Sequence, residues 1–556
     1  MNVLPILLGV VGLLFPFLVV GVIVAAMRRP GAGVDAGTVI RWFVVYGFTF
    51  GLMVVVAQGI SDLLGLFLPG GRVLGRAGAA DVAGAVSFTL VGTPALWGMW
   101  RHVSSRVRTD PAERSSLGWG AFLTVAEWVF LLVGFAALGR GIIGLLGADG
   151  SAAPHLVDGL VWGAGWGWLH FSVRPQLPPH PQVNALAGSG GALVGLVAWT
   201  VAGISLVSLI ADLAYAALVG SPMVGDGFAS RRLVVDLVWL LLGGAVWIWY
   251  WLVRRPEAGP IRSIYTVAVA VLGGAVTTLT AVAVTLYTVL TWVFGTAGTG
   301  AATHFRTLAD TVPVALIGAI VWRLHWQEPL GPEGVRARRY LLAGIALVAA
   351  ATGLGVVVSA LLSTLEPPLA GRGSVEVFLA GVTALVVAGP VWLNQWAPVA
   401  TVGPDDTAAR SRRIYLTLLA GVGGLVGLVT LIVLVFRLTE ALVEGTSNLI
   451  GQLRGPVGVL TATLAVASYH LVLWRRERPA EAARPRRISL VLVAAEPGAI
   501  AGELESRFDV DLVAYRLDDA EPVDPARVVE AVERDGGDDL LVVARPEEVQ
   551  VFHLRR

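Results

Sequence analysis

Long apolar runs separated by short polar, Arg-rich loops dominate the chain from Val3 to about residue 475. Most of these runs approach or exceed the roughly 20 residues that carry a helix across a bilayer. The first, Val3 to Met27, has no charge before it and Arg28 and Arg29 after it, which reads as a retained helix rather than a cleaved signal. The others fall into pairs. Predicted spans are 42–67 and 81–100, 117–146 and 156–173, 187–219 and 233–253, 264–295 and 308–326, 340–364 and 375–396, and 414–443 and 456–474. The expected fold is an all-α polytopic membrane protein with about 13 transmembrane helices, one N-terminal helix plus six parallel helical hairpin repeats.

The second run of each pair closes on a related, Trp-rich ending. These are PALWGMWR (94–101), GWGWLHF (165–171), AVWIWYW (245–251), VWRLHW (321–326), PVWLNQW (390–396) and SYHLVLW (468–474). The start of several hairpins repeats as well, in Arg262-x-x-Tyr265, Arg339-Tyr340 and Arg412-x-x-Tyr415. Marker residues recur about every 75 positions, and two-hairpin steps of 150 and 145 separate Trp97, Trp247 and Trp392. Three four-helix units therefore describe the spacing as well as six hairpins do. Pro94, Pro313 and Pro390 fall inside second helices, where packing and bending is the expected role and a gating hinge the alternative.

After an Arg-rich linker the pattern changes from continuous apolar runs to short alternating ones. ISLVLVAA (488–495) reads as a strand, Ile500, Leu504 and Phe508 mark a helix face, and residues 511–516 read as a second strand. Asp524-Pro525 starts another helix, Gly536-Gly537 ends it, and 540–544 and 549–554 read as strands. The domains are thus 1–40 (N-terminal helix and loop), 41–475 (repeats), 476–487 (linker) and 488–556, a small β-α-β-α-β-β cytoplasmic domain.

Composition agrees with a membrane protein: 56% of residues are hydrophobic and 14% charged, against about 25% charged in soluble domains. Without Cys or Lys, disulfides, thiolate metal sites, Schiff bases and a P-loop lysine are excluded. Arg residues are distributed 17 to 7 between the two sets of loops, before the run 475–487 is counted. The positive-inside rule then places the protein in the inner (plasma) membrane with the N-terminus outside and the C-terminus in the cytoplasm. The Trp-rich endings lie at the cytoplasmic edge in this orientation. Trp97, Trp166, Trp247, Trp251, Trp322, Trp326, Trp392, Trp396 and Trp474 are expected to be interfacial anchors.

Charges inside apolar spans are the default candidates for function in a membrane protein. Here they are Asp62, Arg140, Asp212, Asp236, Arg437 and Glu440. Arg437 and Glu440 are spaced i, i+3 to pair with each other, and Arg140 has Asp62 or Asp212 as expected partners. Structural pairing is the main expectation and a polar pathway the alternative. His170, His325 and His470 recur at spacings of 155 and 145 near helix ends. Three converging imidazoles would suit zinc, with interfacial polar aromatics as the plainer alternative. No GxxxxGK[ST], HExxH, CxxC or GxSxG motif is present, so no catalytic residue and no cofactor is assigned. Nor does any basic, aromatic-interleaved surface suggest nucleic acid.

With the VWRLHW, PVWLNQW and AVWIWYW endings and the Arg-x-x-Tyr starts, residues 40–475 resemble an uncharacterised bacterial membrane family. Its members are built from repeats of a multi-helix domain of unknown function. The resemblance implies a repeated helical membrane fold and carries no activity, ligand or site residue. The tail lies outside it. The first functional expectation is a non-enzymatic protein that binds or moves a small solute or lipid through the bundle. The alternative is a membrane scaffold or sensor whose tail binds a partner protein, with a membrane enzyme third.

Overall fold

The computed structural model describes residues 36–554 apart from 68–78, 149, 151, 221–225, 366–373, 401–405, 445–447, 483–486 and 518–519. The predicted N-terminal helix lies outside the described residues, as does part of the Arg-rich linker. Within the rest, the long helices are α1 (Ala36–Gly65), α2 (Ala79–Thr109), α3 (Leu117–Leu145), α4 (Ala152–Trp168), α5 (Pro181–Val219) and α6 (Asp226–Trp247). They continue as α7 (Pro260–Val293), α8 (Leu308–Trp326), α9 (Pro332–Ser363), α10 (Ser374–Ala400), α11 (Asp406–Glu444) and α12 (Leu449–Ala482). Eleven helices among the described residues are long and apolar enough to cross a membrane. Helix α4 falls short of that length before its chain runs on through a π turn, Leu169–Val173. The outer surface fits a lipid environment: Phe43, Phe67 and Leu218 are all at least 75% exposed, and water would oppose that much uncovered apolar area.

Sequential helices pair as antiparallel hairpins, α1 with α2, α3 with α4, α5 with α6, α7 with α8 and α9 with α10. The pairs are held close by glycines. A Cβ on Gly195 would stand 2.7 Å from the Gly243 carbonyl oxygen, and Cβ atoms on Gly353 and Gly381 would each stand 2.8 Å from the other's oxygen. In lipid, where tails are as apolar as Leu, such backbone approach is a main source of helix association. Neighbouring hairpins pack in turn, with α3 against α5, α5 against α8 and α7 against α10. The first core surrounds Trp119, Leu123, Ala126, Phe130 and Trp162; the next includes Ala192, Tyr250, Trp251 and Tyr265.

Several helices outrun the apolar spans. Helix α2 extends to Thr109, nine residues past the predicted end, because Val103 and Val107 continue a buried face beneath a polar one. Pro94, Pro313, Pro390 and Pro398 are all housed inside helices. Wide π turns interrupt α-geometry at Leu169–Val173, Ile248–Val253 and Val269–Val276. Such turns are frequent where a helix must aim particular side chains.

Two compact units divide the described residues, with breaks inside α11 and α12. The second contains the C-terminal domain. There β1 (Arg487–Ala494), α13 (Pro497–Arg507), β2 (Asp509–Arg516), α14 (Pro525–Asp535), β3 (Asp539–Ala544) and β4 (Val549–His553) follow in order. The sheet order is β2-β1-β3-β4, parallel except for β4. Asp524 caps α14 by accepting from the Ala526 N–H at 3.0 Å, and Gly536 ends it at φ 76°. Alternate residues Ile488, Leu490, Leu492, Leu540 and Val542 pack on Leu504 and Val528. The opposite side of the sheet leaves Val513, Tyr515 and Phe552 exposed.

Candidate functional site at the Trp-rich helix ends

One cluster of buried polar side chains lies at the Trp-rich ends, around a carboxylate absent from the candidates above. Glu127 lies ten residues into α3 and is 1% exposed. Three hydrogen bonds and one further charge contact reach it. The Nδ1 of His170 stands 2.5 Å from Oε1, and the Tyr250 hydroxyl donates to the same oxygen at 3.0 Å. Arg174 donates to Oε2 from Nε at 2.7 Å, and its Nη2 lies 2.5 Å from that oxygen. The two π turns present His170 and Tyr250 to this point.

The surrounding donors set the orientation of the cluster. The Trp249 indole N–H donates to His170 Nε2 at 3.1 Å. An indole can only donate, so Nε2 accepts and His170 carries its proton on Nδ1, toward Glu127. The Trp166 indole donates to the Tyr250 hydroxyl at 2.8 Å, and Arg174 Nη1 donates to Asn184 Oδ1 at 2.8 Å. An ionised carboxylate offers about four acceptor positions; Glu127 fills three of them, two on Oε1 and one on Oε2, with the Arg174 charge against the second oxygen. The cluster is a clamp that ties α3, α5 and the chain following α4 and α6 into one unit.

A second device recurs from hairpin to hairpin. Arg262 lies 5.3 Å from the Trp251 ring, Arg338 4.0 Å from Trp326 and Arg412 5.7 Å from Trp396. Each also reaches back-chain oxygens: Arg262 donates to Pro256 O, Arg338 to Trp326 O at 2.6 Å, and Arg412 to Val399 O and Ala400 O. Tyr265 packs 4.6 Å from Trp251, and Tyr415 stacks 5.0 Å from Trp396. The Arg-Tyr starts and Trp-rich ends are therefore two halves of one joint, in which Arg338 and Arg412 cap carbonyls at the end of the preceding helix and Arg262 bonds the loop that follows it. Replacing Arg338 with Lys is expected to lower stability by about 1 kcal/mol, because an ammonium lacks the planar face that stacks on Trp326. Thermal unfolding of the purified variant checks this; an unchanged midpoint would remove the joint from the account.

The sequence-predicted residues fare unevenly. Trp97 is exposed, whereas Trp251 and Trp396 are buried to 3% because the next hairpin's tyrosines cover them. Trp166, Trp247, Trp322, Trp326, Trp392 and Trp474 are partly buried. Arg437 pairs with Glu440 at 3.0 Å. Arg140 is exposed, and the pairing expected for it with Asp62 or Asp212 is not formed. Asp62 accepts from Gln58, and Arg232 lies 3.7 Å from both Asp212 and Asp236.

His170 serves the clamp. His325 and His470 are buried, each with Nδ1 on the carbonyl four residues earlier, Val321 and Val466. Among the described residues no three His, Asp or Glu side chains converge where a metal ion would sit. Two further acids missed by sequence reasoning are Asp158, hydrogen-bonded to Ser61, and Glu113, which accepts from Arg41 and Tyr46 at 2.6 Å each.

A repeated bundle of apolar helices, closed at one set of ends by buried ion pairs and Arg–Trp joints, defines a multi-pass helical membrane protein. The chain belongs to the family of the domain of unknown function DUF5671, whose profile matches residues 13–167 and 336–465. No curated protein and no solved structure matches it.

Proposed function

We propose that this protein is a non-enzymatic membrane protein that binds a small solute or lipid at the Trp-rich ends of its helices. The observation that carries this is an open, shallow cleft between α1 and α2, lined by Arg41, Trp42, His102 and Arg106 among others. Unlike the buried clamp, it is open and combines cationic groups with apolar walls, the mixture that small-molecule sites use. The Arg asymmetry, with N-terminus outside and C-terminus in the cytoplasm, would set this pocket at the inner leaflet. Three four-helix units, with the pair of hairpins at 187–326 lying between the two matched segments, would account for 12 of 13 spans.

Native mass spectrometry of the full-length protein released from gentle detergent tests this function. A retained small-molecule or lipid adduct at defined stoichiometry is expected. Bare protein, with no thermal shift across lipid and solute panels, would refute it.

The exposed Val513, Tyr515 and Phe552 favour a second reading, in which the tail binds a partner protein. A photo-crosslinker at Tyr515 in the intact protein would then give a discrete protein adduct in cells, and its absence would dismiss this alternative.

A further inference from the structure

We infer that the pocket between α1 and α2 recognises the phosphate group of an anionic ligand, through Arg41, Arg106 and His102. This rests on the ligand-binding function proposed above and makes it chemically specific. Glu113 is 7% exposed and accepts from both Arg41 Nη2 and the Tyr46 hydroxyl. It fixes the Arg41 guanidinium at the pocket wall and occupies one of its nitrogens. A guanidinium has five N–H donors, and the Arg41 side chain remains 36% exposed, so donors are left for a ligand.

His102 and Arg106 are four residues apart on α2, hence on one face and about 6 Å apart along the axis. Both line the same pocket as Arg41. Two guanidinium charges face one carboxylate there, so the pocket is net positive before His102 is counted. That excess selects an anion, and the fork of N–H groups on arginine matches phosphate oxygens in particular.

The remaining wall is apolar, with Trp42, Val45 and Val103. His102 follows Trp100 by two residues, so the cationic groups sit just beyond the aromatic level of α2. Trp marks the headgroup depth of a bilayer, where phosphates reside. The cleft is shallow and open, so it suits a phosphate-bearing headgroup resting at its mouth rather than an enclosed whole lipid. A lipid phosphodiester and a soluble phosphate share the required chemistry.

The test uses delipidated full-length protein in neutral detergent and isothermal titration calorimetry. Probes are short-chain phosphatidylglycerol, short-chain diacylglycerol and inorganic phosphate. Phosphatidylglycerol is expected to bind and diacylglycerol, which lacks the phosphate, is not. Binding of inorganic phosphate in competition with the lipid supports the inference and identifies a soluble ligand; binding of the lipid alone supports it and identifies a headgroup.

Replacing His102 and Arg106 together by alanine should weaken phosphatidylglycerol binding at least about tenfold, the loss of one charge-assisted hydrogen bond or more. Both side chains are exposed, so the fold should survive, and an unchanged unfolding midpoint verifies that. Equal affinity in the double variant, or equal binding of diacylglycerol, overturns the phosphate site while the broader ligand-binding function stands. Wild-type protein that binds no probe and carries no adduct in the mass measurement would sink both.

Discussion

Glu127→Ala is expected to be among the most damaging single substitutions in the bundle, lowering stability by about 3–5 kcal/mol. The size follows from what is left behind. Arg174 is 8% exposed and lies against Glu127 on two of its nitrogens. Removal of the acid strands a buried guanidinium, together with the Tyr250 hydroxyl and the Nδ1–H of His170. Each is then a buried donor without its acceptor. Arg174→Ala has the converse effect, leaving a buried carboxylate with two of its three hydrogen bonds and no counter-charge from Arg174. The pair must therefore be strongly coupled. The double variant Glu127→Ala with Arg174→Ala should be no less stable than either single one, since it removes both charges together. Unfolding midpoints in mixed micelles measure all three. Additive losses would mean that the two charges do not share one site, and the clamp as described would be wrong.

The parts of this architecture that were legible in the chain are those with a local period. Apolar runs of membrane length and six similar endings announce the hairpins, and alternating residues such as Ile488, Leu490 and Leu492 announce a β-strand outside the membrane. Glu127 was legible too. A lone carboxylate in the apolar stretch 117–146 satisfies the same criterion that singled out Asp62 and Arg140, and Arg174 reads as a loop charge only because the apolar span stops before it. Contacts between hairpins were not legible. The repeated starts Arg262-x-x-Tyr265, Arg339-Tyr340 and Arg412-x-x-Tyr415 are visible in the chain, but not that Arg262, Arg338 and Arg412 each lie over a Trp from the hairpin before it. A snorkelling Arg and a capping Arg have the same sequence context, and only the path of the chain between helices separates them. The sheet order β2-β1-β3-β4 is similarly a matter of long-range pairing, which strand periodicity does not contain.

The helix crossings lead to a second large effect, one whose sign reverses with position. In a helix, Gly→Ala is favourable by about 0.8–1 kcal/mol, because alanine restricts the unfolded backbone and keeps helical φ/ψ without strain. Gly51 on α1 has open space where a Cβ would stand, so Gly51→Ala should gain roughly that amount. At Gly195 the same methyl would sit 2.7 Å from the Gly243 carbonyl oxygen and close to the backbone nitrogen of Trp247. Neither obstacle is a flexible side chain that can rotate away. Helices α5 and α6 must separate, and the overpacking cost of about 1–3 kcal/mol outweighs the helical gain. Gly195→Leu should cost more, since a larger side chain cannot be admitted by a small shift and the backbone contact that substitutes for a hydrophobic driving force in lipid is lost. Unfolding of the two alanine variants side by side is decisive: if both move in the stabilising direction, close backbone approach is not what holds this hairpin together. The reciprocal contact of Gly353 with Gly381 makes α9 and α10 an independent second trial, in which either glycine replaced by alanine should behave as Gly195 does and not as Gly51 does.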